Sequence, residues 1–254
     1  MYSIQEVLNN IDAKTAIILA SGIVVLVGAF LMYGEAIRLG FRDKTHSIPL
    51  FANMYFFAHD LFFVAKYDYW FHGVGHWLFK LFWVALLVFT LLELVVHYQT
   101  LKYSRKELFP MLTQAQYVLV YVALQGGVVV LFWFVYSVLE DPLFLINFAL
   151  TEILSSTLLL PLLWSRRSAQ GQSMLLGSAV LVGADVGYFL LLLPLMAHEF
   201  ATPVIYSLGG VLAVLTLGYL WALRAVRRGV SVSPAKALAS RVMFFRRTPG
   251  AMPR

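Results

Sequence analysis

The chain has 254 residues, 61% of them hydrophobic and only 13% charged, against roughly 25% charged in a typical soluble domain. That balance excludes an ordinary soluble fold. The formal charge of +6 belongs to membrane topology rather than to nucleic acid, because the basic residues sit mostly at the ends of apolar runs and in the C-terminal tail; the absence of cysteine excludes a disulfide framework and a thiolate metal site.

In chain order, the opening MYSIQEVLNNIDAK is polar and lacks the basic n-region of a cleavable signal peptide. Seven apolar runs follow, at residues 15–37, 47–65, 77–96, 115–138, 142–164, 174–196 and 203–226. Each approaches the length at which a helix crosses a hydrocarbon core of roughly 30 Å. The second is short and begins near Pro49, which suits a first helical turn. Beyond it all, residues 229–254 hold Ser, Pro and basic side chains with few aliphatics, as a tail that lies on an anionic leaflet or is disordered. The expected fold is all-α and polytopic: a seven-transmembrane-helix bundle over 1–228 and a basic cytoplasmic tail over 229–254, in a bacterial plasma membrane or an internal membrane.

Orientation follows from Lys and Arg in the connections. Arg38, Arg42 and Lys44 lie between spans one and two, Lys102, Arg105 and Lys106 between three and four, and Arg166 and Arg167 between five and six; Arg224, Arg227 and Arg228 begin the tail. The alternate connections hold Lys66, then only Glu140 and Asp141, then only Glu199. The asymmetry predicts an N-terminus outside and a C-terminus in the cytoplasm.

A charge at mid-bilayer costs about 2.5–3.5 kcal/mol on insertion scales, so each intramembrane acid needs a reason. Glu35 and Glu93 fall near the cytoplasmic ends of their spans, where Arg38, Lys102 or another neighbour is expected to pair with them. Asp60, Glu152 and Asp185 lie roughly 15–20 Å along their spans at 1.5 Å per residue, near the midplane or in the outer half. Each must face the bundle interior or a water-filled cavity. They are catalytic candidates, or they hydrogen-bond to Ser155, Ser156, Asn147 or backbone and hold helices together.

Asp60 stands out for its surroundings in "FFAHDLFF". Phe56, Phe57, Phe63 and Val64 are its helical i±3 and i±4 neighbours. An apolar setting favours the neutral form of a carboxyl, and a neutral carboxylic acid in an apolar pocket is a proton donor. Aromatic faces nearby would stabilise a cation, or simply contact lipid. His59 points about 100° away from Asp60 on a helix, so the two need not touch. His72 and His76 in "WFHGVGHW" have the i, i+4 spacing of zinc ligands, but Gly73 and Gly75 weaken that helix in an outer loop; no metal site and no cofactor is expected.

Several segments together resemble the integral-membrane terpene cyclases of the meroterpenoid and indole-diterpene type. "RLGFRDKTHSIPL" resembles that family's basic loop and the Gly-Met-Pro-type start of its second helix. "ANMYFFAHDLFF" falls where the family carries Trp-Glu-Phe, "LLELVVHYQTLKYSRKEL" is similar to its third-helix end, and "WSRRSAQGQS" to its Arg-x-x-x-x-Gly-Gln-Ser connection. These segments, spread between positions 38 and 173, follow one another in matching order. The resemblance implies a seven-helix fold and an enzyme, of isomerase or lyase type in meroterpenoid biosynthesis, that protonates an isoprenoid epoxide or alkene and cyclises it. It assigns the general acid to Asp60, a residue one methylene shorter than the family's glutamate. The family's second acid falls at Thr216, with Tyr219 of its Asp-x-x-Tyr arrangement retained. Asp185, three residues before Tyr188, would substitute for that acid only if the bundle placed it nearby.

The resulting expectation is a site with Asp60, Asp185 and Glu152 as catalytic acids, and Phe56, Phe57, His59, Phe63, Tyr188 and Tyr219 around a lipophilic isoprenoid drawn from the bilayer. Two other classes account for intramembrane acids: a proton-coupled small-molecule transporter, and a non-catalytic seven-helix protein. The sequence does not specify the substrate, the helix facings or the oligomeric state.

Overall fold

A computed structural model describes residues 2–229, which are almost wholly helical and contain no strand. The helices are α1 (Ile4–Ala13), α2 (Thr15–Asp43), α3 (Leu50–Ala65), α4 (Trp77–Tyr103), the short α5 (Arg105–Leu108), α6 (Gln114–Leu139), α7 (Leu145–Arg166), α8 (Met174–Val180), α9 (Leu193–Met196) and α10 (Pro203–Arg227). Between α8 and α9 the chain continues as a π-helix, Leu181–Leu192, so that Met174–Met196 forms one long element. That element and α2, α4, α6, α7 and α10 make six helices long and apolar enough to cross a membrane. The chain is thus a multi-pass membrane protein. The remaining apolar helix, α3, has 16 residues, or about 24 Å, and is shorter than a roughly 30 Å core. The expected tail lies outside the described residues from position 230 onward.

The polarity of the bundle is inverted relative to a soluble protein. Leu119, Trp133, Phe134, Val204 and Trp221 are all at least 60% exposed, an apolar exterior too extensive for water but suited to acyl chains. The interior instead buries Asn53, His59, Asp60, Glu93, Asn147, Asp185 and Thr216. Small residues let helices touch there. A Cβ added at Gly28 on α2 would stand 2.5 Å from Gly183 Cα in the π-helical stretch, so the two backbones are in direct contact. Pro194, in the first turn of α9, has no N–H to return to the preceding turn. The π-winding just upstream is the local adjustment a membrane helix uses where the ordinary ladder is interrupted.

Two features at the bundle ends bear on the site. The polar opening forms a helix, α1, whose Val7 and Ile11 are fully buried. It is tied to the far ends of other helices: Asn10 Nδ2 donates to Met196 O at 3.0 Å, Glu6 accepts from His198 N at 2.9 Å, and Tyr2 hydrogen-bonds Asp141. At the opposite end the three basic connections meet. Arg166 donates to Glu107 Oε1 (2.7 Å) and Thr45 Oγ1 (2.9 Å), His46 Nδ1 pairs with Ser104 Oγ (2.9 Å), and Gly171 N donates to Asp43 Oδ2 (2.8 Å). The stretches around Asp43–His46, Ser104–Glu107 and Arg166–Ser173, far apart in sequence, therefore form one polar cluster.

Candidate functional site

Asp60 sits in the second half of α3, which packs against α4, α6 and α7. It is 5% exposed, and its Oδ1 lies 2.7 Å from His59 Nδ1. Adjacent helical positions need not bring these side chains together, but packing does so here. The rings of Phe132, Phe144 and Phe148 surround His59 at 5.7–5.8 Å, it is fully buried, and the neighbouring carboxyl is the polar partner within its reach. Among the described residues Asp60 Oδ2 has no hydrogen-bond partner.

Asp60 lines a cavity of about 50 Å³ between α2, α3, α4, α7 and the Met174–Met196 element, together with Tyr33, Phe56, Phe89, Phe148 and Glu152 among others. Space of this kind holds a water-sized group per roughly 10–15 Å³, so the cavity takes a small head group and not a terpenoid. Glu152 lines it from α7, close enough to Asp60 and Asp185 for electrostatic interaction. Its carboxyl has no hydrogen-bond partner among the described residues.

A second cavity, about 140 Å³ and almost entirely apolar, adjoins the first and shares Val25, Ala29, Phe89 and Phe148 with it. Its wall runs along α2 and α4 to the start of α7 and includes Tyr188 and Met196. Ile23 and Leu81, on its rim, are 58% and 56% exposed, so it opens through the side of the bundle between α2 and α4. Among the described residues no Lys or Arg lines either cavity.

The other acids divide differently from the sequence expectation. Glu35 does pair with Arg38, through two bonds of 2.7 Å. Glu93 does not pair with Arg38 or Lys102. It is fully buried, accepts from Tyr33 OH at 2.5 Å, and leaves Oε2 without a partner. The reason is facing: Glu93 shares the buried face of α4 with Phe89, Thr90, Val96 and His97, whereas Lys102 donates to Tyr98 on the outer side. Tyr33 lines the polar cavity, so Glu93 stands one hydroxyl behind it and within electrostatic range of Asp60.

Asp185 is fully buried and accepts from Ser156 Oγ. Its neighbours Gly183 and Ala184 line the polar cavity, but Asp185 itself does not. It lies beside Thr216 of α10, the position where the resemblance places the second acid. A carboxyl therefore occupies that neighbourhood from the adjoining helix. Thr216 Oγ1 and Asp185 Oδ2 have no hydrogen-bond partner of regular geometry among the described residues, so their proximity to each other is their main polar contact.

Of the expected substrate contacts, Phe56 lines the polar cavity and Tyr188 the apolar one, with Tyr188 OH donating to Leu145 O at 2.5 Å. The remaining four line neither. Phe57 meets the His97 ring edge-on at 5.0 Å, Phe63 stacks on Trp70 at 4.0 Å, and His59 is sealed among its three rings. Tyr219 donates to Gln172 Oε1 at 2.6 Å near the cluster of basic connections. These side chains point to faces that an isolated helix does not reveal. The His72–His76 segment is not a regular α-helix: Tyr69–Val74 winds as a π-turn, and His76 Nε2 lies 3.2 Å from Asp12 Oδ1. Tyr33 was missed. The sign available in the sequence was the stripe Val25, Gly28, Ala29, Met32, Tyr33, one helical face carrying small residues and then a phenol.

No family model, no curated protein and no solved structure matches the chain.

Proposed function

We propose that the protein is a membrane-embedded enzyme that protonates an isoprenoid epoxide or alkene and cyclises it. The observation that carries this reading is Asp60: a carboxyl with one free oxygen, nearly excluded from solvent, facing an aromatic-walled cavity beside a lateral apolar opening. The isoprenoid enters from the bilayer between α2 and α4. Its tail rests against the apolar wall and its reactive end meets Asp60.

The Asp60 O–H proton passes to the epoxide oxygen, whose C–O bond opens to a hydroxyl and a carbocation, or to an alkene carbon. A neighbouring double bond of the substrate supplies the electron pair that closes the ring. Loss of a proton from the carbon next to the final cation forms the product alkene. The Asp60 carboxylate left by the first step recovers that proton, relayed by Glu152 across the same cavity, and the acid is restored. Atoms and charge balance without metal or redox cofactor. Phe56, Phe89, Phe148 and Tyr33 present aromatic faces to the cation, and the closed site keeps water from quenching it. Asp185, held by Ser156 beside Thr216, acts on Glu152 from behind through its charge.

In the same reading α3 counts as a seventh, short span, buried among the others. The basic connections then face the cytoplasm and α1 lies at the outer surface.

The test is Asp60→Asn, which keeps shape and hydrogen bonding but cannot donate an acid proton. With purified protein and a farnesyl-type epoxide in lipid discs, product formation is expected to fall by about 10²–10⁴. An unchanged rate would remove Asp60 from the chemistry. One observation favours a second reading. Asp185 lies within a π-helical interruption of a long apolar helix, the kind of site at which transporters carry coupling protons. Uptake into proteoliposomes that depends on a pH gradient and is lost in Asp185→Asn would favour it.

A further inference from the structure

The polar cavity holds acids with no base to balance them. Asp60 and Glu152 both line it, Glu93 stands behind Tyr33, and Asp185 stands behind Glu152. His59, beside Asp60, is sealed among aromatic rings and already bonded to it, and His97 is held by Tyr121 OH. Such a cavity offers no positive charge to pair with a phosphate or carboxylate head group. It also offers two free acceptors, Asp60 Oδ2 and the Glu152 carboxyl, framed by the rings of Phe56, Phe89, Phe148 and Tyr33. That set of groups, acid oxygens within a ring of aromatic faces, is the chemistry that recognises an ammonium ion.

From this we infer that the paired cavities form a binding site for lipophilic amines, with the amine nitrogen between Asp60 and Glu152 and its alkyl chain in the apolar cavity. The amine takes a proton from one of the two carboxyls, and the resulting ammonium N–H donates back to the carboxylate. Size agrees with this placement. At roughly 10–15 Å³ per water-sized group, the 50 Å³ polar cavity takes a dimethylamino head and the 140 Å³ apolar cavity about ten chain carbons. Longer chains extend past Ile23 and Leu81 toward the lipid. Ala29, shared by both walls, marks the junction that head and tail must straddle. The inference stands on the cavities and not on the cyclisation reaction.

The experiment is saturation binding of radiolabelled N,N-dimethyldecylamine to the full chain in lipid discs, with empty discs as the measure of partitioning. 1-Decanol and decanoate compete as isosteres that keep the tail and change the head. Saturable binding above empty discs is expected, with decanol at least about tenfold weaker than the amine, because charge-assisted hydrogen bonds are roughly twice as strong as neutral ones, and with decanoate ineffective. Asp60→Asn and Glu152→Gln, each nearly isosteric, are expected to weaken the amine by about tenfold each and to leave decanol unchanged. Ala29→Phe, which fills the junction, is expected to abolish both; thermal unfolding of each variant confirms that it is folded. No saturable binding to wild type, decanol competing as well as the amine, or both acid variants binding like wild type would overturn the inference. Amine binding without cyclisation of any isoprenoid would leave the site standing and sink the enzyme reading, while cyclisation without amine selectivity would do the reverse.

Discussion

Asp60 and Tyr219 lie about equally far from water, but their polar atoms are placed differently. Asp60 presents a free oxygen to a cavity, whereas Tyr219 spends its hydroxyl on Gln172 Oε1 at 2.6 Å. A buried acceptor that loses its donor keeps its desolvation penalty, about 1–3 kcal/mol. Tyr219→Phe is therefore expected to lower stability by about that amount in chemical unfolding while leaving product formation in place; a loss of activity at full stability would return Tyr219 to the substrate. Glu93 permits a sharper comparison. Glu93→Gln keeps an acceptor for Tyr33 OH, and Glu93→Leu removes it. The leucine variant is expected to be less stable than the glutamine variant by about 1–3 kcal/mol, measured by the same unfolding assay.

At the level of elements, two contacts hold the bundle in register. The first is the crossing of α2 with the π-helical stretch, where Gly28 and Gly183 touch. Gly28→Val has no room for its branches, and overpacking of this kind typically costs about 1–3 kcal/mol. The expected result is a lower unfolding temperature and loss of the polar cavity, of which Gly28 and Gly183 are both walls. The second is the cluster of basic connections. Burial and the adjacent Arg166 guanidinium lower His46 from 6.5 to about 4. The folded state therefore binds fewer protons than the unfolded state between those values, and stability falls as pH drops from about 6.5 toward 4. Glu107 works in the same direction: burial pushes it up, but its bonds to Arg166 and Thr45 outweigh that and hold it below its usual range, so its contribution is also lost in acid. Thermal unfolding in detergent is expected to show a lower midpoint at pH 5 than at pH 7, and His46→Gln is expected to reduce that difference.

For the whole molecule, the absence of cysteine gives a clean background for mapping topology. Asp68 lies in the connection after α3, and Met111, 92% exposed, lies in the one before α6. In the proposed orientation, an Asp68→Cys variant reacts with a membrane-impermeant maleimide added outside intact cells, and a Met111→Cys variant reacts only after permeabilisation. The reverse pattern would invert the bundle. Both variants labelled from the same side would mean that α4, which lies between them, does not cross.

The sequence alone determined what depends on local composition. Apolar runs of sufficient length must become helices in lipid because every backbone polar group has to be satisfied within the segment, and α2, α4, α6, α7 and α10 lie where those runs are. The same reasoning marked Asp60 and Glu152 as acids in need of a cavity, and both line one. Tertiary structure decided everything that depends on facing. Glu93 reads as an interfacial acid until α4 is rotated against α2 and brings it to Tyr33. Thr216 and Asp185, on different helices, read as unrelated until α10 packs them side by side. His59 reads as independent of Asp60 until three aromatic rings close around it. A helix presents a side chain every 100°, and in a membrane both lipid and neighbouring helices are apolar, so hydrophobic pattern does not say which way a helix turns; close packing of small residues and the pairing of buried polar groups do.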